Sequence, residues 1–362
     1  MKHLQPLKYR PDWIEARERL TYWWNGGDIG RPAVMITAPR PEPIEHIPTM
    51  PEPDGWVTHY STKSFSYRVN LALRACVGTY YLGEAVPSVS SADLAPNCLA
   101  LFLGCKGVEM PGTVWCQPCI ESPESARFEY DPNNFYWQFC LSVLKEVKPL
   151  AEGKFLQAFP DLIEGLDTLA AMRGTELLLQ DLIDRPEWVQ TSLRRITDLY
   201  FRYYDVLYDL IRDDVGGSVF WAWAPGRIAK FQCDFSAMIS PAMFRDFMVP
   251  ILTEMTERVS YSIYHWDGPG ALCHLDALLS IPRLNVIQWT PGAGVEPPAD
   301  PRWWPYYHKI LDSGKKLFIW VDDADELAAL KREFKAKTKQ MLLSMHVSSP
   351  NEALECLKLA EI

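Results

Sequence analysis

The sequence predicts an α/β protein of the (β/α)8 TIM barrel class, on three observations. Eight short apolar runs read as buried strands, and most are separated by stretches of helical periodicity, as a parallel sheet with crossover helices requires. The first run is not followed by a GxGxxG turn, which a doubly wound dinucleotide fold would carry. The length of 362 residues suits a barrel of about 250 residues with extensions. Residues 1–362 are therefore read as one barrel domain.

The elements follow in order. Apolar spacing through Ile14, Leu20 and Trp24 predicts a helix from Pro11 to Trp24, ended by Gly26-Gly27, so that residues 1–30 form a helical extension. Ala33 to Ile36 reads as the first strand. Six prolines between Pro39 and Pro53 exclude helix and central strand, making 39–60 a proline-rich loop over the surface or over a site mouth. Ala85 to Ser90 is the second strand, followed by a loop through Asp93 and Pro96. Gly104, Gly107 and Gly112 mark turns or a small hairpin.

From residue 133 the alternation becomes regular. A helix over Asn134–Leu150 precedes a strand over Lys154–Phe159. A short helix from Gly165 to Met172 leads to a long one over Pro186–Arg212. Strands follow at Ser218–Trp223, Tyr261–His265, Val286–Trp289, Lys316–Val321 and Gln340–Met345. Between and after them lie helices at Pro241–Val259, His274–Leu279, Trp303–Asp312, Asp325–Lys335 and Asn351–Leu359.

Composition narrows the function. A net charge of −10 gives a polyanion nothing to bind, so nucleic-acid recognition is not expected. No apolar run approaches membrane-spanning length, and Met1-Lys2-His3 lacks the apolar stretch of a signal peptide, so the expected location is the cytoplasm. Nine cysteines, an odd number scattered along the chain, do not form a disulfide framework. Cys116-x-x-Cys119 alone falls short of the four ligands of a structural zinc site and reads as two reduced thiols.

In a barrel, chemistry sits at the C-terminal strand ends. That rule selects Asp161, Arg227, Asp234, His265, Asp267, Gln288, Asp322, Asp323 and His346. Two imidazoles and a carboxylate, His265, Asp267 and His346, have the composition of an open three-ligand zinc site. Without a metal, His265 and Asp267 would bond each other or a substrate. Asp161 is a further candidate catalytic carboxylate. Asp322-Asp323 also suits the cap of the helix that follows. Trp223, Trp266, Trp289 and Trp320, with Trp221, exceed what a tapering core readily packs and are candidates for an aromatic pocket. Arg227 would pair with a ligand anion or lie on an exposed loop.

Several segments resemble the uroporphyrinogen decarboxylase superfamily. They are Phe159-Pro160-Asp161, Leu166-Asp167-Thr168-Leu169, Arg173-Gly174-Thr175-Glu176, Ile239-Ser240-Pro241-Ala242-Met243-Phe244, and Tyr264-His265-Trp266-Asp267-Gly268. The resemblance implies a TIM barrel and one of two chemistries, decarboxylation without metal or zinc-dependent methyl transfer. The arginine-rich N-terminal segment of the decarboxylases is replaced here by Pro39-Arg40-Pro41-Glu42-Pro43, which directs the expectation to methyl transfer. In that branch zinc is held by a His-x-Cys pair and a further Cys, and the matching positions here read His265-x-Asp267 and His346. The resemblance further implies a corrinoid carried by a separate partner protein, and a possible homodimer. Two other readings stay open: a lyase or hydrolase acting on a sugar or aromatic acid, and a non-catalytic small-molecule binder.

Overall fold

The computed structural model describes residues 6–361. Thirteen strands are present in these residues. They are β1 (Ala33–Pro39), β2 (Thr79–Gly83), β3 (Ser88–Val89), β4 (Lys106–Met110), β5 (Thr113–Gln117), β6 (Leu156–Gln157) and β7 (Ser218–Phe220). The rest are β8 (Ala222–Ala224), β9 (Ile228–Gln232), β10 (Tyr261–Asp267), β11 (Val286–Thr290), β12 (Lys316–Trp320) and β13 (Met341–His346).

Seven strands form the central sheet, in the order β2-β1-β13-β12-β11-β10-β9. All neighbours pair parallel except β2, which runs antiparallel to β1. β3 and β6 pair in parallel beside it, and the Phe159 amide continues that line by donating to the Val219 carbonyl at 3.0 Å. This is the parallel α/β sheet expected from the alternation. The described ladder does not close into a ring.

Five segments depart from the sequence reading. The expected strand Ala85–Ser90 shrinks to β3, and the preceding residues form β2. Lys154–Phe159 contributes only β6 to the ladder. Ser218–Trp223 is broken at Trp221 into an antiparallel hairpin, β7 against β8. β9, read as loop, is a fully buried strand because Lys230 and Gln232 find partners inside. A helix at Thr175–Asp184 also went unseen, since Gly174 separates it from Gly165–Arg173. Of the glycines at 104, 107 and 112, the first precedes the β4–β5 hairpin, the second lies within β4 and the third in the hairpin's turn. Residues 40–60 contain no helix or strand, as their prolines require.

Pairing register and side-chain alternation assign the two faces. One face carries Met35 and Thr37 from β1, Ser344 and His346 from β13, and Phe318 and Trp320 from β12. It continues with Gln288 and Thr290 from β11, His265 and Asp267 from β10, and Lys230 and Gln232 from β9. The other face packs under helices and belongs to one contiguous cluster of buried side chains running from Leu7 to Ala360. The polar face is therefore where the chemistry lies.

Helix starts are well made where they matter for that face. Ser240 accepts from the Met243 amide at 3.2 Å, with Pro241 opening the helix Pro241–Glu257. Asp323 accepts from the Glu326 amide at 2.9 Å while Glu326 reaches back to the Asp322 amide at 2.8 Å. Asp322 and Asp323 are thus spent on the helix that follows β12. No helix among the described residues is long and apolar enough to cross a membrane.

Candidate active site

His265 is the fixed point of the polar face. Its Nδ1 meets Gln288 Oε1 on the adjacent strand, and Gln288 Nε2 donates to Thr290 Oγ1 at 2.8 Å. Because Oε1 can only accept, the ring carries its proton on Nδ1 and presents Nε2 as a bare lone pair. Burial, reinforced by the Lys230 charge, lowers the pKa of His265 to about 4, so the imidazole is neutral at pH 7. Nε2 lies 3.9 Å from Asp267 Oδ2. The other oxygen, Asp267 Oδ1, is buried and has no partner among the described residues.

Asp234 joins this pair. One ligand atom from each of Asp234, His265 and Asp267 lies within 4.8 Å of the other two, the one such group of three His, Cys, Asp or Glu among the described residues. His346 is not in it. It ends β13, three strands from β10, where Nδ1 meets Thr37 Oγ1 at 3.1 Å. The expected triad of His265, Asp267 and His346 is corrected to one with Asp234 in the third place. Asp234 follows β9, so the strand missed in the sequence is the one that delivers it.

Further carboxyl groups ring the cluster. Asp161, after β6, is clamped by Lys230 Nζ at 2.6 Å from Oδ1 and 2.8 Å from Oδ2. Glu164 has no exposed surface; its Oε1 accepts from the Gln232 amide at 2.7 Å, and its Oε2 has no partner. Asp167 accepts from the amides of Asp234 and Phe235, both at 2.8 Å. Asp93 Oδ1 accepts from the Asp161 amide at 3.0 Å and from Cys98 Sγ at 3.3 Å. Burial is the leading cause in every case and pushes all these carboxyls upward. Asp93 reaches about 7, helped by the Asp161 charge, and Asp234 about 6, helped by Asp167. Asp267 rises as well, by burial and the Asp234 charge. One buried lysine among so many carboxyls leaves a site that takes up protons or a cation.

An aromatic wall stands beside His265. Trp221 packs edge-on against His265 at 5.4 Å, Trp320 at 5.5 Å and Phe318 at 6.2 Å. Trp221 is 37% exposed and holds φ at +55°, a left-handed conformation rare for a bulky side chain. That backbone kink breaks β7 from β8 and turns the indole toward the site. Ile163, at φ +56° between Asp161 and Glu164, is the same kind of outlier. Strain at two points around one cluster is typical of functional sites.

The other tryptophans lie elsewhere, which corrects three expectations. Trp223 is buried against Trp13 of the N-terminal helix and donates to Asp213 at 2.8 Å. Trp266 and Trp289 alternate onto the opposite face, 4.5 Å apart, and Trp289 continues to Trp303 at 5.0 Å. All three are core. Arg227 precedes β9 and therefore sits at its N-terminal end, pairing with Asp205 and covering Tyr204 at 4.8 Å. It cannot meet a ligand at His265. His274 is buried, stacked on Phe244 and bonded to the Ser236 carbonyl at 2.9 Å, outside the cluster around His265.

Lys230, Glu164, Gln232 and Asp167 were not singled out in the sequence. A lysine in the middle of an apolar run was the one available signal, since a buried strand tolerates it only with a carboxylate facing it.

No family profile matches the chain, and no curated protein matches its sequence. A solved structure, a methyltransferase from Methanosarcina mazei, superimposes with a TM-score of 0.58 over 96% of this chain and 98% of its own, at 13% identity. That likeness extends to the whole fold.

Proposed function

We propose that the protein is a methyltransferase acting on a small methylated molecule at the Asp234–His265–Asp267 cluster. The observation that carries this reading is a neutral imidazole, locked by Gln288 with its lone pair facing two carboxylates, in a fold shared with a methyltransferase. The eight positions of a (β/α)8 barrel would then be β1, β3, β6, the β7–β9 unit and β10 to β13, with the cluster at their C-terminal ends.

The donor set suits a divalent metal such as zinc. It supplies one nitrogen and two carboxylate oxygens, and Asp267 Oδ1 is an orphaned buried acceptor that a cation would satisfy. Asp234, His265 and Asp267 would hold the metal, which supplies Lewis acidity toward the group that gives or receives the methyl. The chain's own residues supply the rest. Gln288 keeps the His265 proton on Nδ1, and Lys230 holds Asp161 in place. Asp93, pushed up to about 7 by burial and the Asp161 charge, can hold a proton beside the site. Trp221 and Trp320, backed by the buried Phe318, offer indole surface to a methylated group. The methyl acceptor would be a corrinoid on a separate protein.

A second reading rests on the same wall. Carboxyls beside exposed indole are also the surroundings of a methylated ammonium bound through cation–π contact without any metal.

The test is elemental analysis of protein purified without chelator or nickel resin, followed by methyl-transfer assays with free cob(I)alamin as acceptor. About one zinc per chain, lost in His265→Ala and Asp267→Asn together with methyl transfer, supports the first reading. A metal-free protein that binds a tetramethylammonium probe, and loses it in Trp221→Ala, supports the second.

A further inference from the structure

A cavity of about 770 Å³ lies between β2, the segment around Arg10 and the helix Pro350–Glu361. It is on the opposite side of β1 from the polar face, because Leu82 and Tyr80 of β2 pair with Ile36 and Ala38, which alternate away from Met35 and Thr37. Its wall holds four arginines, Arg10, Arg19, Arg31 and Arg40, against two carboxylates, Asp12 and Glu361, with Glu84 buried behind the wall. On a chain of net charge −10 such a concentration of guanidinium is out of character.

The existing bonds show which of these charges are spent. Glu84, with no exposed surface, accepts from Arg31 at 2.8 and 2.9 Å, from Arg19 at 2.8 Å and from the Val34 amide at 2.8 Å. That carboxylate is saturated. Arg40 meets no carboxylate among the described residues. Its Nε donates to the Thr79 carbonyl at 2.8 Å, its Nη2 to the Tyr9 carbonyl at 3.2 Å, and its guanidinium stacks 5.4 Å from the Tyr80 ring. Arg10 is 1% exposed. It reaches Asp12 at 3.2 and 3.3 Å and the Gly83 carbonyl at 2.5 Å, yet its Nη1 has no partner among the described residues. Asp12 is 62% exposed, so water screens its charge.

Gly83 is obligatory for this arrangement. A Cβ there would lie 2.1 Å from the Val34 carbonyl oxygen, and φ is +61°. The glycine lets β2 turn sharply enough to offer its carbonyl to Arg10 and Arg19.

Arg10 and Arg40 are thus held in fixed poses by backbone carbonyls and a ring, with donor capacity unused. Such groups bind without first losing rotamer freedom. We propose that this cavity binds a compact multivalent anion, the phosphate or paired carboxylates of a small molecule, through Arg10 and Arg40 with Tyr80 alongside. Guanidinium forks match both groups. This site is independent of the reaction at His265.

Calorimetric titration of the intact protein with inorganic pyrophosphate and, in parallel, citrate tests it. One anion should bind per chain, at least tenfold more weakly in Arg40→Gln and more weakly as salt is raised, but unchanged in Arg194→Gln, an exposed arginine elsewhere. Which anion binds assigns phosphate or carboxylate as the source. Arg40 is only half-buried, so its variant keeps the test open where Arg10→Gln fails to fold. Thermal melts matching the wild type confirm that Arg40→Gln is folded. The proposal falls if neither anion binds the wild-type protein, or if Arg40→Gln binds as tightly as wild type.

Discussion

The Gln288 side chain makes the most testable single contact. It decides which imidazole nitrogen of His265 carries the proton, so Gln288→Leu should leave the fold intact while weakening metal affinity roughly 10- to 100-fold, as loss of outer partners does elsewhere. Competition with a chromogenic zinc chelator measures this. Asp93 offers a pH prediction. Its folded pKa, about 7, is raised above 3.8, so the folded chain holds that proton more tightly than the unfolded chain. The associated stability is complete below pH 4 and is lost as pH rises through about 7. At most it amounts to about 4 kcal/mol. Asp93→Asn should flatten the stability profile across that window in denaturant titrations at pH 4, 5.5 and 7. An unchanged slope would mean that Asp93 is ionised in the fold. At this scale His265 and Asp267 were legible because both end an apolar run. Lys230 and Glu164 were not, since their meaning depends on each other's elements converging across sixty-odd residues.

Between residues and fold, the β7–β8 break governs the aromatic wall. The strained backbone at Trp221 costs of order 1 kcal/mol or more. Trp221→Gly removes that cost and the ring together, so its melting temperature should hold or rise while ligand binding at the site falls. Trp289 behaves oppositely. It has no exposed surface and packs on Trp266 and Trp303, so Trp289→Ala should destabilise by about 3–5 kcal/mol. Chemical denaturation of the two variants separates a site tryptophan from a core one. Strand ends alone did not tell them apart. Alternation does, once the register with neighbouring strands is known, and register is a property of pairs of elements. The regular βα grammar after residue 133 was readable because each strand and helix there carries its own period. The stretch from 79 to 120 was less so, because β2 and the β4–β5 hairpin take their order from contacts made elsewhere.

At the scale of the molecule, Glu84 ties the N-terminal helix and the entry to β1 onto β2 by accepting from Arg19, Arg31 and Val34 at once. Removing the charge strands the buried Arg31 guanidinium and unpairs Arg19, which is partly exposed. Glu84→Gln should therefore cost about 3–5 kcal/mol in urea unfolding, far more than an exposed ion pair would. The parallel α/β class was legible from alternation alone. Ring closure is a different matter, because it depends on which edges meet, and no local period encodes that.

The pairing of β1 with β13 has a consequence for how the chain comes into being. Thr37 lies across from His346, more than three hundred residues later. A growing polypeptide can complete β9 to β12, and with them His265, Asp267 and Asp234, while β1 still lacks its parallel neighbour. The Asp234–His265–Asp267 cluster would thus exist on a nascent chain before the sheet that shelters it is whole. Such distant partners meet slowly. During that interval the edges of β1 and β12 are open to other extended chains, and crowding by neighbouring nascent copies would be felt there first.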